Sequence, residues 1–202
     1  MGIQLSLNLN KMKMISWKKL SFALLLVAFG AIGRYLLLDL PNVETMTAVA
    51  LLAGALLGGG YALAVPLLAV AVFDIFYGNS SILFFTWSAW VLIGLIGLLL
   101  KGKKMKTWKF TASMTGLGIV SSLFFYLWTN FGVWLIGDWY PDTVKGLMTC
   151  MIAGIPFLKA QILGNLIVVP VVAVSLSYIW QKVNVLQLKF VKIKPKKVNI
   201  VS

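Results

Sequence analysis

The stretch ILFFTWSAWVLIGLIGLLL, residues 82–100, carries no charged side chain from end to end. A helix needs about 20 apolar residues to cross roughly 30 Å of hydrocarbon, where backbone N–H and C=O groups must find partners within the chain. This run meets that length, and similar runs recur at 20–38, 43–57, 61–77, 107–128 and 157–180. With 60% hydrophobic and 11% charged residues and a mean hydropathy of +0.95, the chain is far from the quarter or so of charged residues usual in soluble domains. The expected fold class is therefore all-α integral membrane, with six transmembrane helices. A further apolar piece, 143–156, is too short for an independent span and is expected as a re-entrant or interfacial segment before the last helix, or as a kinked lead-in to that helix. The glycine run at 58–60 leaves room only for a tight turn, so the second and third helices should form a hairpin.

Charge sets the expected topology. Lysines cluster before the first helix (Lys11, Lys13, Lys18, Lys19), between the fourth and fifth (Lys101, Lys103, Lys104, Lys106, Lys109) and after the sixth (Lys182 to Lys197). With six spans these clusters share one side, which the positive-inside rule makes the cytoplasm. The five acidic residues, Asp39, Glu44, Asp74, Asp138 and Asp142, fall on the other side. The resulting division is a basic cytoplasmic N-terminal segment 1–19, a transmembrane domain 20–181 and a basic cytoplasmic tail 182–202, placed in the cell membrane as a multi-pass protein. The apolar run from Leu20 continues past Ala31 to Leu38, which reads as a full span rather than a cleaved signal peptide. The net charge of +13 is read as topology and anionic-lipid contact, not nucleic-acid binding.

Candidate site residues lie toward the acidic side. TNFGVWLIGDWYPDT, residues 129–143, packs aromatic, amide and carboxylate groups between two apolar stretches, and is expected to be the outer connection between the fifth and sixth helices. From it come Asn130, Trp134 and Trp139; from the first outer connection Asn42 and Glu44. Gln161 and Asn165 are four apart and so share a helix face, which should look into the bundle because unpaired amides in hydrocarbon are costly. Arg34 and Asp74 sit about one turn inside otherwise apolar helices and are expected near each other. Aromatic faces supply contact area and an amide fixes orientation, the usual division of labour in a small-molecule pocket. An aromatic belt and interhelical glue are the alternative readings of the same residues. No histidine is present and Cys150 is the single cysteine, so no catalytic base, metal set or cofactor site is expected, and the chain is not read as an enzyme.

The blocks LPNVETMTAVALLAGALLGG, VFDIFYG, LFFYLWTNFGVWLIGDWYP and CMIAGIPFLKAQILGNL resemble those of an uncharacterised prokaryotic membrane family over roughly residues 22 to 175. That family is in turn similar to the substrate-binding S components of energy-coupling-factor (ECF) transporters. The resemblance implies a small six-helix binder that captures a vitamin-like solute from outside. A separate transmembrane coupling subunit and paired cytoplasmic ATPases would supply energy, since the chain has no GxxxxGK[ST] nucleotide motif of its own. S components present an Ala-x-x-x-Ala surface on the first helix, and ALLLVAFGAIG offers no clean copy of it. Small residues at spacing four occur on the second helix instead, at Ala50, Gly54 and Gly58, and are expected to pack against the third. The competing function is a membrane scaffold or assembly protein whose outer face binds another protein.

Overall fold

A computed structural model describes the backbone of residues 2–40, 42–78 and 81–192, and the side chains of 17–40, 42–78 and 81–182. The lysines before Trp17, the basic tail beyond Lys182 and Asn79 thus lie outside the described side chains. Among the described residues all regular structure is helical: α1 Gly2–Leu36, α2 Met46–Leu52 running into a π-helical turn Ala53–Leu57, α3 Tyr61–Tyr77, α4 Leu83–Gly97 ending in a 3-10 turn Leu98–Leu100, α5 Thr107–Ile136 and α6 Val144–Lys192. Four segments are long and apolar enough to cross a membrane: Trp17–Leu36, Leu83–Leu100, Thr107–Ile136 and Val144–Lys182. Met46–Leu57 and Tyr61–Tyr77 are apolar but shorter. Large apolar side chains cover the exterior, among them Phe76 at 85% exposure, Ile75 at 78% and Ile167 at 69%. Such a surface suits lipid rather than water.

α2 is the centre of the bundle. Every residue of Met46–Leu52 is buried, and the helix packs against α1, α3, α4, α5 and α6. With its extension it is about 18 Å long at 1.5 Å per residue, well short of the hydrocarbon thickness. Such a short helix is sustainable only where protein shelters its ends. Lys101 donates its ammonium to the Leu56 carbonyl at the C-terminal end, where a cation also complements the helix dipole. Gly58 and Gly59 then take positive φ to reverse the chain into α3, so the hairpin forms as expected. The small-residue face of α2 packs mainly on α4 rather than α3: a Cβ at Gly54 would collide with the Gly94 carbonyl, and one at Gly97 with the Leu51 carbonyl. Missing side chains on both helices set that close approach.

The last two helices differ from expectation. α5 does not stop near Trp128 but continues to Ile136, so TNFGVWLI forms its final turns and only 137–143 connects it to α6. Nor is 143–156 re-entrant or interfacial; from Val144 it is the start of one long helix. The physical reason is a continuous inward face. Cys150, Gly154, Gln161 and Asn165 are all buried and recur at helical spacing across Pro156. Pro156 removes one backbone donor without ending the helix, as bundle neighbours permit.

The chain direction alternates from helix to helix. One end gathers the connections 37–45, 78–82 and 137–143 with all five acidic residues; the other gathers the 58–60 turn and 101–106 with their lysines. Arg34, Lys145 and Lys159 are the basic residues on the acidic half.

Candidate functional site

At the acidic end a cavity of about 350 Å³ opens between the start of α4, the end of α5 and the start of α6. Local chemistry builds its roof. Asn42 adopts a left-handed φ of 60°, a conformation asparagine tolerates, and turns the first connection over the mouth. Trp134 Nε1 donates to the Pro141 carbonyl at 3.1 Å, tying the 137–143 connection down onto α5. Thr143 Oγ1 accepts from the Gly146 amide at 3.0 Å, which caps α6. Asn42, Asn130, Trp139, Tyr140 and Cys150 all line the cavity.

Asn130 is the most firmly placed of them. Its Nδ2 donates to the Tyr126 carbonyl at 2.8 Å. Its backbone carbonyl lies 3.4 Å from Cys150 Sγ, and a Cβ at Gly154 would strike its amide. Its Oδ1 lies against Gly154, and its one hydrogen-bond donor among the described residues is the Cys150 thiol at 3.9 Å, a weak donor that leaves acceptor capacity. Phe125 forms part of the wall and is backed by Trp90, with ring centroids 4.5 Å apart.

A buried polar layer lies one to two turns further in. Gln161 Nε2 donates to Glu44 at 3.4 Å. Asn165 Nδ2 donates to Thr47 Oγ1 at 3.2 Å and to Ser122 Oγ at 2.7 Å. The Ser122 hydroxyl in turn donates to the Gly118 carbonyl at 3.0 Å. This network joins α2, α5 and α6, and it meets the cavity through neighbours in sequence: Asn42 and Glu44 on the first connection, Phe157 and Gln161 on α6. Glu44, in the connection before α2, has its pKa raised to about 7, chiefly by burial; Arg34 and the Gln161 hydrogen bond act in the opposite direction. The Arg34 guanidinium sits 4.5 Å over the ring of Phe73. One of its nitrogens is buried with no hydrogen-bond partner among the described residues.

Of the residues singled out in the sequence, Asn42, Asn130 and Trp139 thus meet at the cavity, and Glu44, Gln161 and Asn165 meet in the polar layer, with Arg34 at its edge. Asp74 and Trp134 join neither group. Asp74 accepts from Trp87 Nε1 at 2.7 Å, and Arg34 rests on the neighbouring Phe73. Trp134 holds the connection and extends an aromatic ladder with Phe131, centroids 5.7 Å apart. The sequence reading missed Thr47 and Ser122, single small hydroxyls inside apolar runs, and it missed Cys150 as a wall residue. Among the described residues no group of three or more His, Cys, Asp or Glu could hold a metal ion.

The model of one family, described as "Family of unknown function (DUF6580)", matches residues 15–188. No curated protein and no solved structure matches the chain.

Proposed function

We propose, for a chain that belongs to the DUF6580 family, that the cavity at the acidic end captures a small solute and that the protein is the substrate-binding membrane subunit of an ECF-type transporter. In this reading all six helices cross the membrane, α2 doing so in the shelter of the others. The basic end and both termini are cytoplasmic by the positive-inside rule, and the cavity faces outward. The observation that carries the proposal is the placement of Asn130. A half-satisfied amide is held rigidly by three neighbours in the wall of a cavity whose 350 Å³ falls within the range of small-molecule sites.

The roles divide by position. Asn130 and Asn42 offer hydrogen bonds, Trp139 and Tyr140 offer aromatic surface at the mouth, and the Glu44, Gln161 and Asn165 layer forms a polar floor beneath. The ECF assignment draws its support from the sequence blocks, the small helical bundle and the missing nucleotide motif. Since the first helix lacks the Ala-x-x-x-Ala surface and the Ala50, Gly54 and Gly58 face of α2 is consumed inside the bundle, a coupling subunit would have to dock elsewhere. One observation favours the scaffold reading: Trp139, at the tip of the last connection, is 85% exposed, and exposed tryptophans are frequent anchors for partner proteins.

Native mass spectrometry of gently purified protein separates the two. A retained small-molecule mass supports the binder. Bare protein that instead carries a second polypeptide, released on Trp139→Ala, supports the scaffold.

A further inference from the structure

A second pocket, of about 310 Å³, lies at the opposite, basic end, between the end of α2, the 101–106 connection, the start of α5 and the last described turns of α6. Lys101, Lys103, Thr107 and Ser177 supply polar groups to its lining, and Phe110 and Trp180 supply apolar surface.

Three independent features of this pocket call for an anion. All five acidic side chains of the chain are at the other end of the bundle, so none of them neutralises Lys101 or Lys103. The start of α5 has no acidic residue in its first turn and no side-chain cap. Its first helical backbone bond is donated by Phe110 to Lys106, which leaves the N–H groups of residues 107–109 for an outside acceptor at the positive end of the helix dipole. Finally, Ser177 is only 4% exposed, and its hydroxyl has no hydrogen-bond partner among the described residues. A buried hydroxyl without a partner is costly, and Ser177 is one of the residues around the pocket. Lys101 spends one N–H on Leu56 and retains two. Burial and nearby Lys19 both push its pKa down, as befits a cation lacking a counter-charge.

We propose that this pocket binds a phosphate-bearing ligand. The phosphate oxygens take the start of α5, Lys101, Lys103 and the Ser177 hydroxyl, while Trp180 and Phe110 cover the less polar remainder. An anionic phospholipid headgroup and a soluble phosphate compound share this chemistry, and the test distinguishes them.

Full-length protein in detergent is challenged in two ways. Native mass spectrometry follows retention of phosphatidylglycerol against phosphatidylcholine, and thermal shift follows titration with inorganic phosphate. The variants are Ser177→Ala, which removes an unpartnered hydroxyl and leaves the packing intact, and Lys103→Gln. Lys104→Gln, outside the pocket lining, is the control with equal charge loss. The parent is expected to prefer phosphatidylglycerol or to be stabilised by phosphate, with each pocket variant weakening that response about tenfold and the control leaving it within about twofold. A response to the lipid alone assigns a headgroup; a response to phosphate assigns a soluble compound. The proposal is overturned if the parent answers to neither, or if Lys104→Gln costs as much as Lys103→Gln, which would be diffuse attraction to a basic surface.

Discussion

Gln161 and Glu44, 117 residues apart in sequence, are joined by a hydrogen bond of 3.4 Å that ties the middle of α6 to the connection before α2. The contact places a titratable carboxyl in the polar layer, two residues along the chain from Asn42 in the cavity wall, with the Arg34 charge acting on it. The polar layer should therefore respond to pH.

The sign of that response follows from the shift. Glu44 is raised from its ordinary value of 4.5 to about 7, so between those values the folded protein binds more protons here than the unfolded chain does. Its contribution to stability is full below about pH 4.5 and is lost as pH climbs through 7. Glu44→Gln stays neutral throughout. The melting temperature of the variant relative to the parent should accordingly rise from pH 4.5 to pH 8, by the equivalent of at most about 3 kcal/mol. A difference that stays flat over that range contradicts the assignment.

Charge coupling around Arg34 should run to Glu44 rather than to Asp74. In double-mutant cycles read by thermal unfolding, Arg34→Gln with Glu44→Gln is expected to depart from additivity by about 1 kcal/mol. Arg34→Gln with Asp74→Asn should add, whereas Asp74→Asn with Trp87→Phe should not, because Trp87 donates to Asp74 at 2.7 Å. Non-additivity confined to the Arg34 and Asp74 pair would reverse this picture.

Much of this architecture was legible in the sequence because hydrocarbon length and charge placement are blunt physical constraints. The six helices, the Gly58 turn and the inward face of Gln161 and Asn165 all follow from them. Length alone cannot decide whether 143–156 is a re-entrant segment or a lead-in to the last helix, and only its periodicity selects the lead-in. Gly154 and Cys150 stand about two and three turns before Gln161 on the same face, and following that face across Pro156 reveals one helix. The Trp134 bond to the Pro141 carbonyl is not legible in the sequence, because composition gives no sign of which indole N–H a backbone carbonyl will occupy. Thr47 and Ser122 were invisible for a similar reason: a lone hydroxyl in an apolar run can bond back to its own helix, and only the fold shows Asn165 reaching both.

The Asn165 junction should be worth a measurable amount. Asn165→Leu leaves the Thr47 hydroxyl without its partner and disrupts the link between α2, α5 and α6. A loss of about 1 to 2 kcal/mol in unfolding free energy is expected, the upper range for interhelical hydrogen bonds in membranes. Stability equal to the parent would mean that the network only fills space.

The close crossing of α3 with α4 predicts a contrast between two glycines. A Cβ at Gly94 would collide with the Ala62 carbonyl, whereas at Gly116 it would meet open space. Gly94→Ala should therefore destabilise by about 1 to 3 kcal/mol through forced separation of the helices. Gly116→Ala should be neutral or stabilising by up to about 1 kcal/mol, since alanine is the better helix former. Equal effects on detergent unfolding would show that the two helices are not packed as described.

Calorimetry with the solute that mass spectrometry identifies, comparing the parent with Asn130→Ala and Trp134→Ala at matched stability, tests the cavity most directly. Asn130 lines the cavity and is the proposed solute contact, so its loss should weaken binding by about 1 to 3 kcal/mol. Trp134 spends its N–H on Pro141 and is not among the cavity-lining residues, so its variant should bind within about 0.5 kcal/mol of the parent once stability is matched. If Asn130→Ala binds as tightly as the parent, the cavity at the acidic end is not the solute site.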